Sequence, residues 1–157
     1  MMTTNKNDSA AEQPVLRQRW ISACARTAPK TISTLHERLK PDLTFEPLRP
    51  AEAGLVMVRA RAGGTGQLFN AGEMTVSRCS LRGSNGVVGH GYVAGRDKRH
   101  AEAMAKLDVV FQSMDEAECE PIVAELEMAI RAGERVRQQK SAPTRVEFFT
   151  MVRGEDE

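Results

Sequence analysis

Apolar residues recur every three or four positions in four stretches of the chain and alternate with polar ones in others, which predicts a mixed α and β fold. Val15, Leu16, Trp20, Ile21 and Cys24 share one face of a first helix, expected to run from Pro14, a favourable first helical residue, to near Thr27. Ile32, Leu35 and Leu39 define a shorter second helix over residues 31–40, stopped by Pro41. Ala101, Met104, Leu107, Phe111 and Met114 form the stripe of a third, with Asp97 as its expected N-cap. Pro121 is expected to open a fourth, turning Ile122, Leu126, Ala129, Ile130, Gly133 and Val136 inward and Glu125, Glu127, Arg131 and Glu134 outward. Gly133 either breaks that helix or lets it pack closely.

Between the second and third helices the period changes to two. Residues 55–62 read as a strand with Val56, Val58 and Ala60 on one face, and Leu55 and Met57 giving way to Arg59 and Arg61 on the other. The proline-bounded residues 43–48 before it suit an edge strand or an extended connector. Residues 73–81 and 87–94 read as two further strands, joined antiparallel through Asn85 and Gly86, a pair that suits the positive φ angles of a type I′ hairpin. On the returning strand Val87, Gly89, Gly91 and Val93 fall on one face, so another backbone, a helix or a ligand can approach the bare glycines. The same residues nominally match a dinucleotide-binding GxGxxA pattern. A helix would have to start inside that motif, and here it starts only after Arg96 and Asp97. Residues 145–152 read as a last strand that is apolar on both faces and must be covered on both. The predicted architecture is therefore α+β: N-terminal helices, a small, mostly antiparallel sheet, two further helices and a C-terminal strand. Residues 1–13, polar and charged, are expected to be a disordered leader to a single domain over 14–157.

Charge redraws this picture, because a net charge of +1 over 157 residues hides a strong segregation. Residues 54–100 carry seven basic and two acidic side chains and ten of the twelve glycines, whereas residues 101–157 carry seven basic and thirteen acidic ones. A basic centre beside an acidic half creates a field that favours an anion on one surface and a basic partner on another. Nucleic acid is a poor candidate: the basic residues lack interleaved aromatics, and the pI is only about 7.8. The polar start of the chain has no signal-peptide core and no run is long enough to span a membrane, so a cytoplasmic protein without a membrane partner is expected. Cys24, Cys79 and Cys119 have no metal-site spacing and read as reduced structural thiols. Arg78 and Arg82 flank Cys79 and would activate it if it were exposed.

Candidate chemistry concentrates in the basic centre. The connection through Gly63, Gly64, Thr65 and Gly66 to Asn70 either forms an anion-binding concavity from its backbone amides or is a wide loop with Phe69 tucked into the core. Lys98, Arg99 and His100 sit on the first turn of the third helix, against the positive end of its dipole. They answer there either to an anion or to salt bridges elsewhere. Paired carboxylates, a nucleophile motif and metal-ligand spacing are all missing from this centre. What is left is an anion-friendly surface of Arg59, Arg61, Arg78, Arg82, Arg96, Lys98 and Arg99, with His90 and His100 near it. If the chain acts alone, as a small enzyme or binding protein, a phosphate or nucleotide is the expected occupant of that surface.

Four blocks carry a resemblance that spans the chain from about Arg17 onward. They are Gln18-Arg19-Trp20; Gly63-Gly64-Thr65-Gly66 with Phe69-Asn70 and Gly72-Glu73; Gly89-His90-Gly91-Tyr92 with the run from Gly95 to Glu102; and the run from Phe148 to Glu155. Together they resemble the PhnG family of the bacterial carbon-phosphorus lyase system. The resemblance implies one subunit of a core complex with PhnH, PhnI and PhnJ. That complex replaces the adenine of MgATP by a phosphonate, giving a ribose 1-phosphonate 5-triphosphate, and a radical S-adenosylmethionine subunit later cleaves the carbon-phosphorus bond. It implies no catalytic residue and no bound cofactor or metal for this chain, MgATP being a substrate of the complex. Phe148, Phe149, Met151 and Val152 are then expected at a subunit interface, and Arg78, His90, Arg96 and His100 at an anion site shared with a partner.

Overall fold

The computed structural model describes residues 8–39 and 42–141. In chain order these form α1 (Asp8–Arg26), α2 (Pro29–Leu39), β1 (Phe45–Arg61), β2 (Leu68–Gly83), β3 (Val88–Ala94), α3 (Lys98–Gln112) and α4 (Glu116–Ser141). The strands make one antiparallel sheet in the order β1-β2-β3, so the α+β class and the sequence of elements agree with the pattern.

Several boundaries move, each for a local reason. Helix α1 begins at Asp8, so residues 8–13 of the expected leader are helical, while residues 1–7 lie outside the described ones. Pro29 opens α2, where a missing N–H costs nothing. The two extended segments read separately from the sequence are one 17-residue strand, β1. Because β1 is the sheet's edge it tolerates Pro47 and Pro50, and register shifts between Pro47 and Arg49 and between Arg49 and Glu52 absorb them. Strand β2 starts at Leu68, five residues early, so Phe69, Asn70 and Gly72 belong to a strand and Phe69 is 48% exposed, not in the core.

Asn85 and Gly86 do lie between two antiparallel strands, but the turn is not type I′. Gly86 N–H donates to the Gly83 carbonyl at 2.8 Å and Gly83 N–H to the Val87 carbonyl at 2.8 Å, which centres the turn on Ser84 and Asn85. Gly86, at φ 82°, takes the left-handed position that follows.

Helix α3 lies along the glycine face of β3. A methyl group on Gly91 would sit 2.7 Å from the Ala101 carbonyl carbon, and one on Gly89 would sit 2.9 Å from Val109 N. Of the approaches those glycines permit, the one realised is helix on strand. Asp97 caps α3 by accepting from His100 N–H at 3.0 Å. The stripe of α3 then buries Ala101, Met104, Leu107 and Phe111 against Trp20 of α1, whose ring centroid is 5.5 Å from that of Phe111. Each large apolar side chain so buried stabilises the fold by about 1.5–3 kcal/mol.

Helix α4 starts at Glu116 and carries Pro121 in its second turn rather than at its first position. The exposed neighbour Ala117 leaves the carbonyl deprived by that proline open to water. Val123 is buried, although the spacing did not single it out, whereas Ala129 and Val136, expected inward, are exposed. Only the first half of α4 reaches the core. Ion pairs to α1 run along the helix, Arg19 with Glu120 and Glu127 and, in the second half, Arg26 with Glu134. Arg19 keeps the Glu127 carboxyl below the usual range through their hydrogen bond. Gly133 neither ends the helix nor meets a close neighbour. The strand expected over residues 145–152 lies outside the described residues.

The contact between α3 and β3 predicts that Gly91→Ala destabilises the fold by about 1–3 kcal/mol or more. Gly72→Ala, with nothing within 4 Å of the added methyl, should stay within about 0.5 kcal/mol of the parent. Urea denaturation followed by circular dichroism measures both.

Candidate functional site

Alternate residues of β2 and β3 divide between two faces of the sheet. Ser77, Cys79 and Leu81 pair with Val93, Gly91 and Gly89 under α3, and all six are buried. Arg78, Ser80 and Arg82 face the other way, beside Tyr92, His90 and Val88 on β3 and Glu52, Arg49 and Glu46 on β1. This open face is the most polar constellation that the fold assembles from the basic centre. Arg78 Nε donates to Glu52 Oε1 at 2.8 Å, and Arg49 Nε lies 3.9 Å from the same oxygen. Ser80 Oγ and His90 Nδ1 are 3.0 Å apart. A serine activated as a nucleophile needs its histidine oriented by a third group. Among the described residues no carboxylate bonds the second ring nitrogen of this exposed histidine. The geometry suits holding an anion: cationic arginines, a hydroxyl and an imidazole on neighbouring strands.

The surface expected from the sequence separates into three parts. Gly63, Gly64, Thr65 and Gly66 form the tip of the β1-β2 hairpin, with Asn70 paired to Arg59 just inside it. Two groups of that loop bond within the hairpin, Gly66 N–H to the Ala62 carbonyl at 2.9 Å and Arg61 Nη1 to the Gly66 carbonyl at 3.1 Å. Twelve residues of β2 separate Leu68 at the tip from Ser80, roughly 40 Å of extended chain, so the glycine loop and the His90 face are distinct places. Arg96, Lys98 and Arg99 form the third part. They are exposed beyond the end of β3, where Gly95 N–H still bonds the Thr75 carbonyl, and none has an ion pair among the described residues. His100 leaves the surface altogether. It is 6% exposed, with Nε2 2.9 Å from the Cys24 carbonyl, and ties α3 to α1. Its spacing to Met104, Leu107 and Phe111 puts it on the inward face of α3, a signal masked by the adjacent basic residues Lys98 and Arg99.

Sequence reasoning missed Asp108, the most heavily bonded side chain of the core. This carboxylate is 1% exposed and accepts four hydrogen bonds: Trp20 Nε1 at 2.9 Å, Arg17 Nε at 3.3 Å, Arg17 Nη2 at 2.9 Å and the backbone N–H of His90 at 2.9 Å. The missed signal was an aspartate flanked by Leu107 and Val109 on a helix whose buried face is, apart from His100, apolar. A charge in such a run must find partners.

Cys79 does not meet the condition for reactivity. It is buried, its thiol is pushed up by burial, and the flanking arginines lie on the opposite face. Burial raises the Cys24 thiol to about 12, with a contribution from the Asp108 charge, and the Cys119 thiol to about 11. A groove of about 530 Å³ opens between α1 and the α3-α4 junction, lined by Leu16, Trp20, Ile21 and Phe111. Its arginine, Arg17, is already engaged by Asp108. The predicted interface residues Phe148, Phe149, Met151 and Val152 lie outside the described residues. No helix among the described residues is long and apolar enough to cross a membrane.

Comparison with known proteins adds two findings. Residues 16–154 match the family model described as phosphonate metabolism protein PhnG. The chain is also 47% identical over 118 residues, 74% of each chain, to the alpha-D-ribose 1-methylphosphonate 5-triphosphate synthase subunit PhnG of Rhizobium meliloti (strain 1021).

Two outcomes follow from the buried groups. Asp108→Ala leaves the Trp20 and His90 N–H groups unpaired inside the fold and should lower stability by about 2–5 kcal/mol in denaturant melts. A maleimide at pH 8 should leave all three thiols of the folded protein unmodified over a time that labels the urea-unfolded chain completely; mass spectrometry reads the difference.

Proposed function

The chain belongs to the PhnG family of phosphonate metabolism proteins, and on that premise we propose that it is a subunit of a synthase of α-D-ribose 1-methylphosphonate 5-triphosphate. The observation that carries the reading is the 47% identity to a subunit so named, over three quarters of both chains. In the reaction, the bond from ribose C1 to the adenine of MgATP breaks, a bond from C1 to a phosphonate oxygen forms, and adenine leaves. PhnH, PhnI and PhnJ are the partners we assign to it, and the cytoplasm its compartment, a location supported by its three free, buried thiols.

Within that assembly the open sheet face is this chain's contribution to anion binding. Arg78 and His90 are two residues out of register on neighbouring strands and so share a face, and Arg96, Lys98 and Arg99 continue the positive charge past the end of β3. A triphosphate or phosphonate at a subunit boundary would meet charge-assisted donors there. Glu52, bonded to Arg78, holds that guanidinium in place until an anion competes for it. We assign no bond-making role to this chain. Its part is to hold and orient charge in a site that another subunit completes.

Co-expression with PhnH, PhnI and PhnJ should give one large species on size-exclusion chromatography that releases adenine from MgATP in the presence of methylphosphonate. Replacing Arg78, His90 and Arg96 together by alanine should leave assembly intact and reduce adenine release by about tenfold or more. A chain that elutes alone and ignores those partners would sink the subunit reading, and unchanged adenine release by the triple variant would sink the anion role.

A further inference from the structure

Among the described residues, no layer lies over the distal half of the β1-β2 hairpin. From Gly54 to Arg61 and from Leu68 to Met74 not one residue is buried. Yet this stretch presents six large apolar side chains: Leu55 at 63%, Met57 at 54%, Val58 at 39%, Leu68 at 45%, Phe69 at 48% and Met74 at 43% exposure. They are not scattered. The register puts Val56 beside Met74 and Ala60 beside Phe69 on one face, and Leu55, Met57 and Leu68 on the other. The seven residues from Leu55 to Arg61 carry this pattern over roughly 23 Å. A two-stranded ribbon of that kind is marginal in water by itself, and contiguous exposed apolar surface of this extent marks an interaction site. Strand β1 is also a sheet edge, with no further strand beyond it among the described residues. The opposite edge is occupied at its start, where Asp108 accepts the His90 N–H and Gln112 Nε2 donates to the Val88 carbonyl.

Charge decides what fits there. Arg59 and Arg61 share the face of Leu55 and Met57, and neither has a carboxylate partner among the described residues; Glu73 is the one acidic residue of the arm. A second copy of the chain would bring the same arginine-bearing, apolar arm and little to neutralise it. We propose that this arm, residues 54–75, inserts into a different subunit of the complex, into an apolar groove whose mouth carries carboxylates opposite Arg59 and Arg61. The inference rests on the subunit reading given above and names the surface by which that assembly forms. The two faces and the free edge supply apolar contact on both sides of the ribbon, and the arginines fix its orientation.

Two variants test it in co-expression with the partner subunits. The first is Leu55→Asp, Met57→Asp and Phe69→Asp combined; the second is Arg59→Glu with Arg61→Glu, which touches no packed residue and so keeps the test valid if the first fails to fold. Size-exclusion chromatography with light scattering should show the parent chain in the complex and the first variant excluded from it, with circular dichroism of the helices unchanged. The second should bind at least about tenfold more weakly, with a reduced dependence on salt. Retention of both variants at parental stoichiometry would overturn the arm's role and leave the subunit reading standing. A parental homodimer that the first variant dissolves, with hetero-assembly unaffected, would overturn the choice of occupant. A parent chain that joins no complex would overturn the inference together with the reading beneath it.

Discussion

One buried carboxylate holds together three elements, α1, β3 and α3. Asp108 of α3 takes the indole N–H of Trp20 and the guanidinium of Arg17 from α1, and the backbone N–H of His90 from the outer edge of β3. Isolated in an apolar interior a carboxylate would be strongly unfavourable; with four donors around it the same charge becomes an orienting device. It sets the roll of α1 against α3 and occupies, at His90, an edge amide of β3 that another strand would otherwise seek.

The close seating of α3 on the sheet depends on the absence of side chains at Gly89 and Gly91. Because the helix lies almost on the strand backbone there, it covers one face of β3 and the proximal part of β2 and leaves the other face bare. The polar pairs of that bare face, Arg78 with Glu52 and Ser80 with His90, follow from strand alternation once the covered face is chosen. Since one face is fixed by packing, the other is free to present charge. The hairpin beyond Gly54 then continues the sheet past the helices, where neither face rests on any of the described residues. Compactness around α3 and the unsupported arm have the same origin: a single helix is too short to cover a strand of 17 residues.

Much of this was legible from spacing alone. The stripes of α2 and α3, the cap at Asp97, the glycine face of β3 and the antiparallel return after Asn85 and Gly86 are local properties of three to fifteen residues, and local periodicity reports them directly. The family likeness was legible too, because its four blocks combine residues whose joint occurrence is far more specific than any one of them. The candidate site was legible as a list but not as a place. Arg78 and His90 come together because β2 and β3 pair, whereas Gly63 to Gly66 lie roughly 40 Å along the strand from them.

What the sequence by itself determined was which residues form helices and strands and which face of each is apolar, since those depend on the chain's own period. Only the tertiary structure decided where the charges go. It took His100 from the surface to the Cys24 carbonyl, made Asp108 the centre of the core, shut Cys79 away from its flanking arginines, and left Phe69 in the open on the arm. The first two outcomes turn on how α1 meets α3 across 76 to 91 residues of sequence, the others on which face of the sheet α3 covers. A buried polar group selects its partner by distance and desolvation in the folded state, and residue spacing along the chain carries no record of either.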